Sequence, residues 1–346
     1  MGFAVTVGGR RVECAPDQSL LDACLRAGLW MPNSCNQGTC GTCKLQVVGG
    51  EVDHRDSPFD TLTTEERAAG MALACQARPV SDVEVGGSGD RTTHPLRDLT
   101  ATVLEVADIA RDTRRVLLGL AEPLAFSAGQ YVEFVVPGSG ARRQYSLANT
   151  ADEDKVLELH VRRVPGGVAT DGWLFDGLAV GDEVVATGPL GDFHLLPESD
   201  DDGGPMVLIG GGTGLAPLVG IARTALARHP AREVLLYHGV RGTADLYDGD
   251  RFAELAEEHP NFRFVPVLSD EPAAEHRSGF PTDAFVEDVP SARGWSGWLC
   301  GPPAMVEAGV KAFKRRRMAP RHIHREKFTS TARSSRPPTR WADPDL

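Results

Sequence analysis

Four cysteines constrain this chain more than any other feature. Cys35, Cys40 and Cys43 share one stretch, Cys35-Asn-Gln-Gly-Thr-Cys-Gly-Thr-Cys43, separated by four residues and then two. A fourth, Cys75, arrives later in Met71-Ala-Leu-Ala-Cys75. Three thiols on one loop and one from a distance is the spacing that holds a [2Fe–2S] cluster. Each iron needs two thiolates, so all four cysteines are spent as metal ligands. Gly38 and Gly41 let the backbone wrap closely, because a Cβ would obstruct it and glycine tolerates φ > 0. The N–H groups this frees can point at sulfur, and the hydroxyls of Ser34, Thr39 and Thr42 can add to them. A zinc site usually shows two closely spaced ligand pairs, and Cys75 has no near partner. Disulfides belong to secreted chains, whereas Met1-Gly-Phe-Ala-Val-Thr-Val7 reads as a strand rather than a signal peptide. The three cysteines left over, Cys14, Cys24 and Cys300, are an odd number that suits a reducing cytoplasm.

A length of 346 residues holds two or three domains. No apolar run reaches the ~18 residues of a membrane span, so no membrane association is expected. The net charge of −12 and the lack of any strongly basic region argue against nucleic acid as a partner. The acidic balance is compatible with steering a basic protein partner, but simple solubility explains it more readily.

Residues 3–7 and 10–15 read as strands joined by a Gly8-Gly9 hairpin. Ser19 caps a short helix that runs to Gly28 and carries Cys24 on its apolar face, and Pro32 precedes the cluster loop. A strand follows at 44–50, and Thr63-Thr64-Glu-Glu caps a second helix that ends near Gly70 and delivers Cys75. Over residues 1–85 this pattern resembles the β-grasp fold of plant-type ferredoxins, and the ferredoxin domain is placed at 1–90. Gly86-Gly-Ser-Gly-Asp90 reads as a flexible linker.

From 95 to 199 many short strands with turn signals suggest an antiparallel barrel. Within it, Arg143-Gln-Tyr145-Ser146 offers an arginine for a phosphate, an aromatic face for a flat cofactor and a hydroxyl for a ring nitrogen. Alone, alternate Arg and Tyr on a strand read equally well as a solvated face. Gly166-Gly167-Val-Ala-Thr170 follows a strand and precedes an apolar helix start, where backbone amides bind phosphate. Gly188-Pro-Leu-Gly-Asp-Phe193 is a glycine-bounded turn. In this order the three motifs resemble the flavin barrel of the ferredoxin–NADP reductase superfamily. The resemblance implies that Tyr145 packs on the isoalloxazine, that Ser146 lies near flavin N5, and that Arg143, Gly167 and Thr170 contact the pyrophosphate. The superfamily more often has Ser where this chain has Thr170.

Residues 203–328 alternate strand and helix, which means a doubly wound parallel sheet. Met206-Val-Leu-Ile209 reads as a buried parallel strand. It runs into Gly210-Gly-Gly212-Thr213-Gly214-Leu-Ala-Pro217, a turn that lets a ligand approach the backbone at a helix N-terminus. Leu215 departs from the strict dinucleotide fingerprint, but the turn matches the superfamily's own form, which implies that Gly210, Gly212, Thr213 and Gly214 hold a nicotinamide dinucleotide. Gly239–Asp245 resembles the segment that reads the adenosine ribose. NADPH-specific relatives usually place several phosphate-seeking groups here; this chain offers Arg241 but also Asp245, whose charge would oppose a 2′-phosphate, so NADH is the expected donor. Cys300-Gly301-Pro302-Pro303 resembles the superfamily's nicotinamide pocket and places Cys300 beside the ring where hydride leaves. Lys314-Arg-Arg-Arg317 reads as a solvated helix end favoured by the helix dipole. Phe328 stands where relatives carry a terminal aromatic that covers the flavin. Residues 329–346, rich in Ser, Thr, Arg and Pro, read as disordered.

Residues 1–328 together resemble the NADH-dependent reductase component of multicomponent bacterial oxygenases, in the ferredoxin-first arrangement. That resemblance implies FAD, a terminal oxygenase or hydroxylase as electron acceptor, a monomer and a cytoplasmic setting. The residues argue the same way. A hydride carries two electrons and the cluster takes one, so a flavin between them must divide the pair. Ser146 and Cys300 are the residues expected at the hydride-transfer centre. Two other readings remain: a reductase for a different acceptor, such as a dehydratase or a quinone pathway, and a redox-sensing binding protein with a vestigial flavin site.

Overall fold

The computed structural model describes residues 2–87, 91–271 and 274–328. The expected disorder of 329–346 lies outside them, as does part of the linker at 86–90. The described chain divides into two compact units, Met1–Leu99 with Thr187–Asp192, and Thr100–Ala186 with the residues from Phe193 onward.

The first unit is built on a mixed five-stranded sheet, as the β-grasp expectation requires. Phe3–Val7 and Arg10–Cys14 form the hairpin, with Gly8 and Gly9 both at positive φ, the signature of a type I′ turn. Phe3–Val7 also pairs in parallel with Val83–Val85. The Leu20–Arg26 helix starts where expected. The Ser19 side chain accepts from the Asp22 N–H, and Leu20, Leu21, Ala23, Cys24 and Leu25 are buried. The Thr64–Ala68 helix carries a full capping box, Thr63 with Glu66. Cys14 and Cys24 are both buried and unpaired, and desolvation pushes both thiols upward, Cys14 to about 11 and Cys24 to about 12.

The second unit carries two sheets. Six antiparallel strands form the flavin-type sheet, with Arg142–Ser146 at one edge and Val156–Arg162 at the other. The Leu147–Leu159 bridge and the Ala148 N–H···Glu158 O bond join these edges and close the barrel. The other sheet is parallel and six-stranded, and Met206–Gly211 runs through its middle between Val234–Val240 and Ser296–Gly301. All six residues of Met206–Gly211 are buried, which explains its unbroken apolar sequence. The Leu215–Arg228 helix that follows buries ten of its residues. Because neighbouring strands lead away on both sides of Met206–Gly211, its carboxyl end opens a crevice at the topological switch point, where such sheets bind ligands. No helix among the described residues is long and apolar enough to cross a membrane.

Candidate functional site

In the first unit, the Met71–Leu73 strand pairs with Lys44–Gln46, and the Ala74 N–H donates to the Cys43 carbonyl at 3.0 Å. That register brings Cys75 to the loop. Cys43 Sγ and Cys75 Sγ stand 3.2 Å apart. The N–H groups of Gln37 and Cys40 donate to Cys35 Sγ, and that of Thr42 to Cys40 Sγ, each at 3.4 Å. The sulfurs form two pairs, Cys35 with Cys40 and Cys43 with Cys75. The Cys40 thiol, the Thr39 hydroxyl and the two N–H groups hold Cys35 down to about 4. The Cys75 thiol lowers Cys43 in the same way, and the partners Cys40 and Cys75 move up in consequence. Two pairs of sulfurs surrounded by donors that favour negative sulfur fit two irons with two thiolates each. Gly38 sits at φ +81, a backbone conformation that side chains rarely adopt, and a Cβ there would crowd Gln76 Cγ at 3.0 Å. Cys43 and Cys75 are buried, whereas Cys40 is exposed.

A turn from far along the chain pins the root of this loop. Asn33, two residues before Cys35, is 3% exposed. Its Oδ1 accepts from the Gly191 N–H at 2.7 Å, and its carbonyl accepts from the Asp192 N–H at 3.1 Å. In return the Asp192 carboxylate accepts from the Asn33 N–H and from Trp30 Nε1–H, both at 2.9 Å. The second half of Gly188-Pro-Leu-Gly-Asp-Phe193 therefore serves the cluster unit.

In the second unit, Arg143 and Tyr145 alternate along the Arg142–Ser146 strand, opposite Phe134 and Val132. The Tyr145 ring lies 5.9 Å from that of Phe134, which in turn meets Trp173. This aromatic row links the strand to the Gly166–Thr170 turn. Burial raises the Tyr145 phenol. The turn differs from expectation. Thr170 Oγ1 accepts from the Val164 N–H and donates to the Val164 carbonyl, both at 3.0 Å, so this hydroxyl is engaged within the turn. The Gly166 N–H donates to Asp171. The expected helix start is a single six-residue π-helical stretch, Thr170–Phe175. A Cβ at Gly167 would stand 2.6 Å from Thr170 Oγ1, so this tight closure requires glycine.

The Gly210–Gly214 turn and Cys300-Gly301-Pro302 meet as two walls of the crevice. Gly210 pairs with Cys300. A Cβ at Gly214 would lie 2.3 Å from the Cys300 carbonyl oxygen, and one at Gly211 would lie 2.9 Å from Pro302 Cδ. The Cys300 thiol is fully buried, which pushes it well above the usual thiol value. Phe328 donates its N–H to the Gly301 carbonyl at 2.9 Å and packs against the core that holds Cys300. Ala148, two residues past Ser146, belongs to that same core with Leu215 and Leu218, and a Cβ at Gly220 would stand 2.6 Å from the Asn149 carbonyl. The end of the Tyr145–Ser146 strand is thus pressed against the helix that begins at the glycine turn.

Asp245 is placed differently from the sequence expectation. It is 6% exposed, and its carboxylate takes Arg111 Nε at 2.9 Å, Arg111 Nη2 at 2.7 Å and the Gly242 N–H at 3.0 Å. Its charge is compensated and turned inward, so it offers no free carboxylate to a ribose. A negative group that does lie beside that segment is Glu271, whose carboxylate a Cβ at Gly242 would strike. The sequence reading also missed Arg162. Its Nη1 lies 3.6 Å from where a Gly212 Cβ would be, and burial together with nearby Arg241 lowers its pKa. No hydrogen bond or ion pair reaches that guanidinium among the described residues. The available signal was its place at the end of a barrel strand, next to Arg163.

Residues 5–80 match the family of 2Fe-2S iron-sulfur cluster binding domains, 100–195 the oxidoreductase FAD-binding domain, and 208–311 the oxidoreductase NAD-binding domain. With the sulfur pairs, the closed barrel and the glycine crevice, these matches define an NAD(P)H-dependent flavin and iron–sulfur oxidoreductase. The reductase subunit of an aromatic O-demethylase from Amycolatopsis sp. is 84% identical, over 95% of this chain and 99% of that protein. The reductase component of phenol 2-monooxygenase, DmpP, from Pseudomonas sp. is 37% identical over 96% of each. The crystal structure of the Amycolatopsis cytochrome P450 reductase GcoB superposes with a TM-score of 0.94 at 83% identity, covering 95% of this chain and all of that one. The chain belongs to the reductase components of multicomponent oxygenases, which pass electrons from NAD(P)H through FAD and a [2Fe–2S] cluster to an oxygenase component.

Proposed function

We propose that this reductase draws electrons from NADH and delivers them, in the cytoplasm, to a cytochrome P450 that demethylates aromatic ethers. The observation that carries the reading is the 84% identity, over nearly the whole length of both chains, to the reductase subunit of an aromatic O-demethylase. When bound, the flavin takes up the two electrons of a hydride and releases them singly to the cluster.

The chain's own residues position and neutralise. Arg162 and the N–H groups of the Gly210–Gly214 turn receive the dinucleotide pyrophosphate, because an unpaired guanidinium beside a glycine turn is a site for an anion. Gly214 and Gly301 let the two turns pack backbone to backbone, and the nicotinamide end is received at the rim they share with Pro302. The buried Cys300 sets the depth of that crevice. Phe328 closes the side beyond Gly301. Tyr145 provides the aromatic face for the flavin, Ser146 a hydroxyl near its reactive edge, and Arg143 with the Gly167 turn the phosphate contacts. Thr170 supports these by holding the turn closed. Cys35 with Cys40, and Cys43 with Cys75, hold the two irons, and the exposed Cys40 side is the exit for electrons. The functional divisions run 1–90, 95–199 and 203–328. Glu271 in place of Asp245 supports the choice of NADH, since a carboxylate beside the 241–245 segment repels a 2′-phosphate.

Purified protein should reduce ferricyanide and cytochrome c with NADH. Combined with an O-demethylating P450 and an aromatic methyl ether, it should release formaldehyde in step with NADH consumption. Rapid ferricyanide reduction without any formaldehyde would refute the acceptor and leave the flavin reading standing.

A further inference from the structure

The Gly212 carbonyl is a shared acceptor. His238 Nε2 lies 3.0 Å from it and the Tyr247 hydroxyl donates to it at 3.2 Å. The Leu215 N–H that opens the helix reaches it too. A carbonyl only accepts, so the His238 nitrogen facing it carries the proton. His238 is fully buried, with burial pushing it down to about 4, so the ring stays neutral. Tyr247 is 5% exposed, its ring edge-on to His160 and His238 at 5.1 and 5.2 Å. Phenylalanine would fill this core as well. The buried hydroxyl is instead spent on one carbonyl of a ligand-binding turn, and burying a polar group is costly unless it makes such a bond.

We propose that Tyr247 and His238 are positioning residues for the dinucleotide, acting through the Gly212–Thr213 peptide. A trans peptide is planar, with its C=O and N–H pointing opposite ways. Drawing the Gly212 carbonyl into the core therefore turns the Thr213 N–H outward, where Gly212 and Thr213 are half-exposed while Gly214 is buried. Gly212 sits at φ +54 and has no side chain to hold its own orientation. The two donors supply that restraint, and a fixed outward N–H can meet a pyrophosphate oxygen without first reorganising. This inference rests on the reading of Gly210–Gly214 as the dinucleotide turn.

The test uses the full-length holoprotein with ADP-ribose as the probe and NADH as the donor. Tyr247→Phe keeps the ring and removes one neutral hydrogen bond. It should weaken ADP-ribose binding and raise KM for NADH by about fivefold, while kcat with ferricyanide and the thermal midpoint stay close to those of the unsubstituted protein. His238→Leu should act in the same direction, and His238→Gln, which restores an N–H at the Nε2 position, should recover most of the loss. Selective ¹⁵N-threonine labelling, assigned with Thr213→Ser, reports on the turn itself. If the Thr213 amide does not shift with ADP-ribose in the unsubstituted protein, the dinucleotide-turn reading falls and the inference falls with it. If it shifts, yet Tyr247→Phe binds ADP-ribose with unchanged affinity, the inference alone is overturned. A lowered thermal midpoint with unchanged KM likewise overturns it, because the hydroxyl would then serve packing only.

Discussion

Asp192→Ala should destabilise the cluster-bearing unit although the residue lies 117 positions beyond Cys75, the last of the four clustered cysteines. Its carboxylate takes the Asn33 N–H and Trp30 Nε1–H at 2.9 Å each, with Asn33 Nδ2 more distant at 3.5 Å. Hydrogen bonds to a charged group contribute ~1.5–3 kcal/mol each. Asp192 is only half-buried, so water recovers part of the loss, and about 3 kcal/mol for the two short bonds together is the working figure. With a urea m-value of ~1.5 kcal/mol/M for a unit of this size, the midpoint should fall by about 2 M. The assay is urea unfolding of the holoprotein, followed by the visible absorbance of the cluster. Asp192→Asn keeps one acceptor oxygen and should lose about half as much. The same deficit should appear in excised residues 1–99, which lack the Thr187–Asp192 segment of their own compact unit. If Asp192→Ala unfolds at the unsubstituted midpoint, the carboxylate bonds to Asn33 and Trp30 carry no stability.

Three further outcomes follow from the same structure. Removing residues 1–90 should abolish NADH-driven cytochrome c reduction while sparing ferricyanide, and survival of cytochrome c reduction would mean that electrons do not leave through the cluster. Glu271→Gln should raise kcat/KM for NADPH relative to NADH, and an unchanged ratio would show that this carboxylate does not face the 2′ position. Acid should weaken the second unit in two stages. Burial pushes His238 from an ordinary 6.5 down to about 4, so the folded state loses stability as pH falls from 6.5 to 4, by about 3 kcal/mol. For Glu158, burial alone would raise the pKa, but His160 and Arg251 hold it at about 2. Its contribution is complete above 4.5 and is lost as pH falls through 2. Arg251→Met removes the permanent cation from beside Glu158 and Asp248 and leaves His160 alone between the two carboxylates. It should cost ~3–5 kcal/mol and begin the second loss at a higher pH, read from the thermal midpoint across an acid series.

What the sequence revealed was chemistry whose partners lie close along the chain or whose spacing is itself the signal. The Ser19 and Thr63 caps and the Gly8-Gly9 hairpin need only local residues to be recognised, and the four cysteines stand out by their spacing alone. The parallel core strand Met206–Gly211 declared itself because burial on both faces leaves an unbroken apolar run. Misplaced residues share a different cause. Asp245 looked like a free carboxylate at a strand end, but Arg111, which neutralises it, lies on a barrel hairpin. The Thr170 hydroxyl looked available because the turn that uses it is closed by the backbone of Val164. Arg162 was overlooked because, within a strand, one arginine of an adjacent pair reads as ordinary surface.

The two glycine motifs show why a linear reading locates such a site before it understands it. Gly210-Gly-Gly-Thr-Gly214 and Cys300-Gly-Pro302 look like separate ligand signals, each explained by the need to bring backbone near a cofactor. In the structure they are first a requirement on each other. The Gly214 Cα faces the Cys300 carbonyl at a separation that no Cβ can share, and Gly301, at φ +142, leaves no room for one against the Gly211 backbone. Parallel strands set only ~4.8 Å apart would be forced open at their carboxyl ends by a methyl group on either side. The two turns are therefore held close by the same missing side chains, and their spacing is a property of the pair rather than of either one.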